Sequence, residues 1–445
     1  MKHTCLTITL ALLISSNITP LPAQEKIQAQ SANDFLNSIG VNSAIFRRGE
    51  TLAQTIECID YLGARWIRTD ESMNTDEKVR NIKELHEQTG AKISTSLGSG
   101  GNDIAGLVAG SRRIAALGAL LAIEGNNEPN NWGITYQGEK GGQNNSWIPV
   151  ARLQRDMYKA IKADPVLKEF PVWTTTETGA ETDNVGLQYI QVPKNDTNVI
   201  EEFRGVVFAD AANCHNYFTH PGWKPLQNNQ TWLASDPSSN AKGDHLFGNY
   251  GKTWAKKYGG YTNEQLKNIP RVTTETGATI DQTLTEEMQA RLYLSCYLAQ
   301  YAQGWSHTAM YILRDRSDEE GNQSFGFYDK FYNPRKAAHY LHNLTSILND
   351  NKTISKPGYL SYTIPNQPET VHDLLLQKND KTFMLVIWGE LYAGGSENIV
   401  VKLGKKYKRI NIYDPTSGTK AIEILQNADS VPLTMSNHPY ILELK

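Results

Sequence analysis

From Asp34 to about Leu348, short apolar runs alternate with stretches of helical period, and this alternation constrains the fold more than any other feature of the chain. Val41 to Phe46 reads as a first strand and Thr51 to Leu62 as its helix, with Ile56, Ile59 and Leu62 at helical spacing. Trp66 to Arg68 gives a second strand, Asp76 to Gln88 a helix closed by Gly90, and Ile93 to Leu97 a third strand. The helix Ile104 to Leu117 leads into a fourth strand at Leu120, and Ile148 to Lys162 is the long helix after it. Phe170 to Thr176 and Val206 to Tyr217 supply strands five and six across a long polar excursion. Arg271 to Glu275 is the seventh, and Thr283 with Glu286 fits a capping box opening a helix that runs to Gln303. His307 to Leu313 is the eighth. Eight strand signals separated mostly by helices predict an α/β fold, a closed (β/α)8 TIM barrel over residues 25–348.

After Leu348 the rhythm changes. Alternating runs without helical period occur at Tyr359 to Thr363, Asp373 to Gln377, Thr382 to Trp388, Ile399 to Leu403, Arg409 to Tyr413 and Tyr440 to Leu444. They predict a small C-terminal β-sandwich over 349–445. At the other end, Lys2 and His3 precede an apolar core from Leu6 to Ile14 and a Pro20 to Ala23 cleavage region, so residues 1–24 read as an export signal. That predicts a secreted or periplasmic protein with no membrane attachment once the signal is removed. Cys58, Cys214 and Cys296 lie in apolar contexts without a short spacing, which argues for buried free thiols rather than a disulfide framework or a zinc site.

The fourth strand ends abruptly, in LLAIEGNNEPNN from Leu120 to Asn131. Gly125, Asn126, Asn127, Pro129 and Asn130 are read as unable to continue it, which leaves Glu128 at the C-terminal mouth, where catalytic side chains of parallel barrels gather. PRVTTETG, from Pro270 to Gly277, delivers Glu275 in the same way. Two carboxylates on two strand ends are the minimum equipment for cleaving a glycosidic bond by general acid catalysis and nucleophilic attack. Net charge is −3, so no long-range field points to nucleic acid or an anionic membrane, and a neutral partner is the natural one. Nine Trp and 21 Tyr offer flat faces with polar edges suited to sugar rings.

Asn127, Glu128 and Pro129 after a fourth strand, a Glu after a seventh, and a C-terminal β module together resemble clan A of the retaining glycoside hydrolases. The resemblance implies a carbohydrate substrate, no cofactor, Glu128 as acid/base, Glu275 as nucleophile and Asn127 as the side chain that binds a sugar 2-hydroxyl. Arg68, ending WIRTD, is the cation best placed to keep Glu275 ionised, and His215 and Tyr217 in CHNYF share one face of strand six. Trp132, His220 and Trp223 are loop aromatics able to stack on sugar. Glu177 is the rival nucleophile, because TTETGA occurs at both 175–180 and 273–278, but it ends the strand directly after that of Glu128. It is therefore expected to bind a hydroxyl instead. Two readings from other classes compete: a non-catalytic carbohydrate-binding protein on a barrel scaffold, and a lyase or aldolase. The latter needs a lysine or a metal cluster at strand ends, and the nearest lysine, Lys92, sits at a strand's start.

Overall fold

In the computed structural model, residues 26–69, 73–176, 183–219, 226–238, 257–316, 318 and 324–445 are described. The export-signal segment lies outside them. The chain opens with two short strands, β1 (Lys26–Gln28) and β2 (Gln30–Ser31), followed by α1 (Ala32–Ser38) and β3 (Ile39–Asn42). Then come α2 (Leu52–Leu62), β4 (Trp66–Arg68), α3 (Asp76–Thr89), β5 (Lys92–Gly98), α4 (Ile104–Ala116) and β6 (Leu120–Asn126). A β7–β8 hairpin (Ile134–Tyr136, Glu139–Gly141) precedes α5 (Ile148–Ala163), β9 (Val172–Trp173) and β10 (Ala212–Asn213). Next are α6 (Gln230–Ser235), α7 (Asn263–Asn268), β11 (Arg271–Thr276), α8 (Glu286–Ala302), β12 (His307–Met310) and α9 (Lys336–Leu348).

Local chemistry explains the clearest boundaries. Thr51 and Thr75 accept from the amides of Gln54 and Lys78 and so cap α2 and α3, and Gly63 and Gly90 end those helices in the left-handed conformation. Four expectations are corrected. The first strand sits earlier than predicted, because buried Glu50 accepts from the Ser43 hydroxyl and the Ala44 amide and holds residues 43–46 in a turn. Thr285, not Thr283, caps α8, since Thr283 is engaged with the Asp281 carboxylate in the preceding turn. The fourth strand runs on through Gly125 and Asn126, paired to β5 as far as Gly98↔Asn126. The fifth and sixth strands shrink to two residues each.

Strands β10-β11-β12-β3-β4-β5-β6-β9 pair in parallel in that order, and a parallel bridge between Trp173 and Ala211 joins the two ends into a barrel-like ring. Outward side chains such as Val41, Ile67, Ile93 and Ile123 pack beneath α2, α3, α4, α5 and α8 in the main core. The inward side chains are layered. Trp66, Ala122, Trp173, Ala211, Val272 and Ala309 form an apolar floor. Two residues further along their strands, the same inward face carries Arg68, Glu124, Asn213 and Thr274, all buried. A polar layer inside a barrel must satisfy itself, and it does so with the network described below.

The C-terminal strands are β13 (Tyr359–Thr363), β14 (Val371–Gln377), β15 (Phe383–Gly389), β16 (Glu397–Tyr413), β17 (Ala421–Met435) and β18 (Pro439–Leu444). They pair in the order β1-β13-β16-β18-β15-β14-β2, with β17 on β16. The runs 399–403 and 409–413 are therefore one strand, bulged between Lys402 and Tyr407, and β17 was not foreseen. β1 and β2, placed in the barrel by the sequence reading, belong to this second sheet instead. Cys58, Cys214 and Cys296 are buried thiols outside any disulfide, as expected. Among the described residues no helix is long and apolar enough to cross a membrane.

Candidate active site

Glu128 follows β6 in a left-handed conformation, φ 42°, which is costly for a residue with a Cβ and needs anchoring. The anchors are close. Its N–H donates to the Thr176 hydroxyl at 2.8 Å, and its carbonyl accepts from the amides of Asn131 and Trp132 at 2.9 and 2.8 Å. Its carboxyl Oε2 accepts from the Asn131 side-chain amide at 2.9 Å, and Oε1 lies 2.8 Å from His215 Nδ1. Glu275 enters from the far side. It would point outward if β11 alternated regularly after inward Thr274, but the pairing with β12 shifts register between Thr273 and Thr276 and re-aims it. Its Oε1 accepts from Arg68 Nη1 at 2.5 Å and its Oε2 from the Tyr217 hydroxyl at 3.0 Å.

Glu128, His215 and Glu275 thus meet, each offering an atom within 4.8 Å of the others. Such a donor set could hold a divalent cation, although the Arg68 guanidinium already stands against Glu275. Arg68 is the hub of the layer below. Its Nη2 donates to Glu124 Oε1 at 2.7 Å and Asn127 Oδ1 at 2.8 Å, and its Nη1 also reaches Asn42 Oδ1 at 3.4 Å. The other end of Asn127 donates to Ser99 Oγ at 3.1 Å. Sequence reasoning missed Glu124, Asn42, Asn213 and Thr274. One signal was available: Glu124 is a carboxylate directly after the apolar run Leu120 to Ile123, two residues after inward Ala122 and four before Glu128.

Burial drives the electrostatics. It raises the Glu128 carboxyl above the usual range, with the Asn131 amide and Arg68 opposing. It raises Glu275 too, with His215, Arg68 and the Tyr217 hydroxyl opposing and Glu128 adding to the rise. His215 is itself driven down to about 4 by burial, so at neutral pH it is uncharged, its opposition to the rise at Glu275 falls away, and Arg68 is the cation left beside Glu275. Of the two carboxyls, Glu275 therefore has the stronger support for ionisation and Glu128 the stronger tendency to keep a proton.

The remaining candidates divide. Trp132 is 54% exposed and is tied to Glu128 through its backbone amide. Glu177, His220 and Trp223 lie outside the described residues. Tyr311, not singled out from sequence, has its ring 6.5 Å from that of Tyr217 and so flanks the pair. Lys257, also unforeseen, is buried and donates to the carbonyl oxygens of Thr175, Thr176 and Asn213 at the ends of β9 and β10. Lys257 is not itself at the end of a strand; its ammonium reaches there from outside and is held by the three carbonyls.

No family model matches the sequence, and no curated relative does. Solved structures resemble the fold. A family 39 glycoside hydrolase from the gut symbiont Bacteroides cellulosilyticus WH2 is similar over 93% of this chain and 82% of its own, with a TM-score of 0.56 and 14% identity. The fold of this chain resembles those of glycoside hydrolases. A GH51 arabinofuranosidase from Xanthomonas axonopodis pv. citri covers 95% of this chain and 97% of its own, at TM-score 0.52 and 9% identity. The catalytic domain of GH30 xylanase C from Talaromyces cellulolyticus covers 95% and 98%, at 0.52 and 10%. At such identities the likeness concerns the fold alone.

Proposed function

We propose that this chain is a retaining glycoside hydrolase that cleaves O-glycosidic bonds of an oligo- or polysaccharide through a covalent glycosyl-enzyme. The observation that carries the reading is the approach of Glu128 and Glu275, with a carboxyl oxygen of each within 4.8 Å of the other and Arg68 on Glu275. Retaining enzymes hold this pair about 5 to 5.5 Å apart, whereas inverting enzymes leave roughly 6.5 to 9.5 Å for a water. Glu275 attacks the anomeric carbon as the bond to the leaving oxygen breaks, and the Glu128 proton passes to that oxygen. Water then attacks the same carbon, giving its proton to Glu128 and releasing Glu275. Asn127 and Tyr217, already bonded to Arg68 and Glu275, face the position of the sugar at the reacting ring, and Trp132 offers an exposed stacking face. Glu177, outside the described residues, is kept as a hydroxyl-binding residue. Residues 1–24 we read as an export signal, so the substrate is met outside the cytoplasm. The second sheet we read as a β-sandwich, because one apolar cluster gathers side chains from both halves of the bulged β16.

The test begins with a screen of aryl glycosides and polysaccharides, counting new reducing ends, and continues with two variants. Glu128→Ala should retain turnover on aryl glycosides with good leaving groups, lose about 10²–10⁴-fold on poor ones, and recover with azide. Glu275→Ala should lose retaining hydrolysis on every substrate, with azide yielding a glycosyl azide of inverted configuration. A 2-fluoro glycoside that labels Glu275→Ala as well as the wild type would remove Glu275 from the nucleophile's role.

A further inference from the structure

The buried layer beneath the two carboxyls contains more order than holding Arg68 requires. Thr274 Oγ1 sits among four polar groups: Asn213 Nδ2 at 2.9 Å, Glu124 Oε1 at 3.1 Å, His215 Nε2 at 3.1 Å and Asn213 Oδ1 at 3.2 Å. A hydroxyl has one proton and two lone pairs. The Asn213 amide fills one lone pair. Glu124 is paired through both oxygens with Arg68, so it is the charged acceptor present and the best destination for the Thr274 proton. The competing oxygen, Asn213 Oδ1, already takes the Thr274 backbone N–H. In either case the hydroxyl proton points away from His215, and the one stable partner for the remaining lone pair is an N–H on His215 Nε2. A neutral imidazole with its proton on Nε2 has a bare Nδ1. That bare nitrogen lies 2.8 Å from Glu128 Oε1 and 3.5 Å from Glu275 Oε2. A lone pair facing two carboxylates is tolerable only if the nearer one carries a proton.

We propose that Glu124, acting through Thr274, fixes His215 in its Nε2–H tautomer and thereby keeps the proton of the acid/base on Glu128. Glu124 and Thr274 are positioning residues, since neither touches substrate, and the inference rests on the glycosidase reading only for its kinetic consequence. The charged and titratable groups facing His215 are Glu128 and Glu275 at the strand mouths, Arg68 and Glu124 in the layer below, and Lys257 at the β9–β10 seam. The same arrangement serves both halves of the reaction. Once Glu128 has given its proton to the leaving oxygen, its new carboxylate faces a bare nitrogen, and that repulsion favours recovering a proton from the attacking water.

The first measurement needs no substrate. Long-range proton–nitrogen correlation spectra of protein labelled with ¹⁵N-histidine, with the His215 signals assigned by their loss in His215→Asn, should show the Nε2–H tautomer near neutral pH. An Nδ1–H tautomer in the wild type overturns the proposal. Thr274→Val removes the hydroxyl at nearly constant volume, releasing His215 to protonate Nδ1 and donate to an ionised Glu128. On aryl glycosides, its basic limb of kcat/KM should move down by about one pH unit, with a larger loss for poor leaving groups than for good ones. Thr274→Ser should restore both the tautomer and the profile. Wild-type tautomer and wild-type pH profile in Thr274→Val would overturn the relay, as would a loss equal on all leaving groups and at every pH. Failure of the wild type on all glycosides would instead strike the function, while the spectra still judge the relay.

Discussion

Arg68 divides one guanidinium among Glu124, Glu275, Asn127 and Asn42, and it is 4% exposed, so its charge is spent on neighbours rather than water. Removing one partner from such a pair strands a buried charge and costs about 3–5 kcal/mol, whereas replacing both partners with apolar groups is often neutral. Arg68→Met should therefore lower the urea midpoint sharply, and Arg68→Met with Glu124→Met should recover part of it, since buried Glu275 is still left without its guanidinium partner. Activity should stay lost in both, by roughly 10²–10³-fold in kcat on aryl glycosides, because Glu275 loses the donors that favour its charge. Recovery of activity alongside stability in the double variant would remove Arg68 from catalysis. The residues legible in sequence were those at strand mouths, namely Glu128, Glu275, Arg68, His215 and Tyr217. Glu124 and Thr274 were not, because they sit one layer down, where a strand pattern leads a reader to expect apolar filling.

At the scale of elements, the site depends on how tightly β6 lies against β9. Gly125 separates Glu124 from Asn126, and a Cβ there would lie 2.1 Å from Gln154 Oε1, 2.8 Å from the Thr175 amide nitrogen and 3.0 Å from its Cα. The side-chain oxygen can move; the neighbouring backbone cannot without opening the pair. Gly125→Ala should thus cost about 1–3 kcal/mol, read as a fall in melting temperature, and lower kcat through the displaced Glu128 turn rather than by raising KM. Unchanged melting and turnover would mean the strands have slack. Capped segments such as α2 and α3 were readable because local chemistry sets their ends. The β11 bulge was invisible, being a property of pairing with β12 rather than of PRVTTETG itself. So was β17, where Asn427, Asp429 and Pro432 interrupt the pattern of a strand. Pro432 is tolerated because this strand pairs on one side with β16.

Across the whole molecule, the barrel and the second sheet are joined through their cores and through backbone hydrogen bonds. Leu374, Leu376, Met384, Val386, Trp388 and Ile441 of the sheet belong to the barrel's apolar cluster, not to the sheet's own. Helix α8 is buried almost all round, as a helix between two layers must be. Glu390, fully buried beyond the end of β15, accepts from the backbone amides of Thr231 and Trp232 and from the Thr231 hydroxyl in α6, and burial holds its carboxyl up at about 7. His372 stacks on Trp232 with ring centres 4.0 Å apart. β1 and β2 pair with β13 and β14, so the sheet also grips the chain ahead of the barrel's first strand. Deleting 349–445 would expose that apolar face, strand the α6 amides and leave β1 and β2 without partners. The truncated barrel should accumulate as insoluble protein, or as a soluble form that binds a hydrophobic dye and melts without a sharp transition. Restoring the sheet as a separate polypeptide should rescue solubility only in part, since β1 and β2 must then find their partners between chains. A soluble, cooperatively melting and fully active 1–348 fragment would mean that the barrel folds without the sheet, and that the shared core is a contact between two independent units.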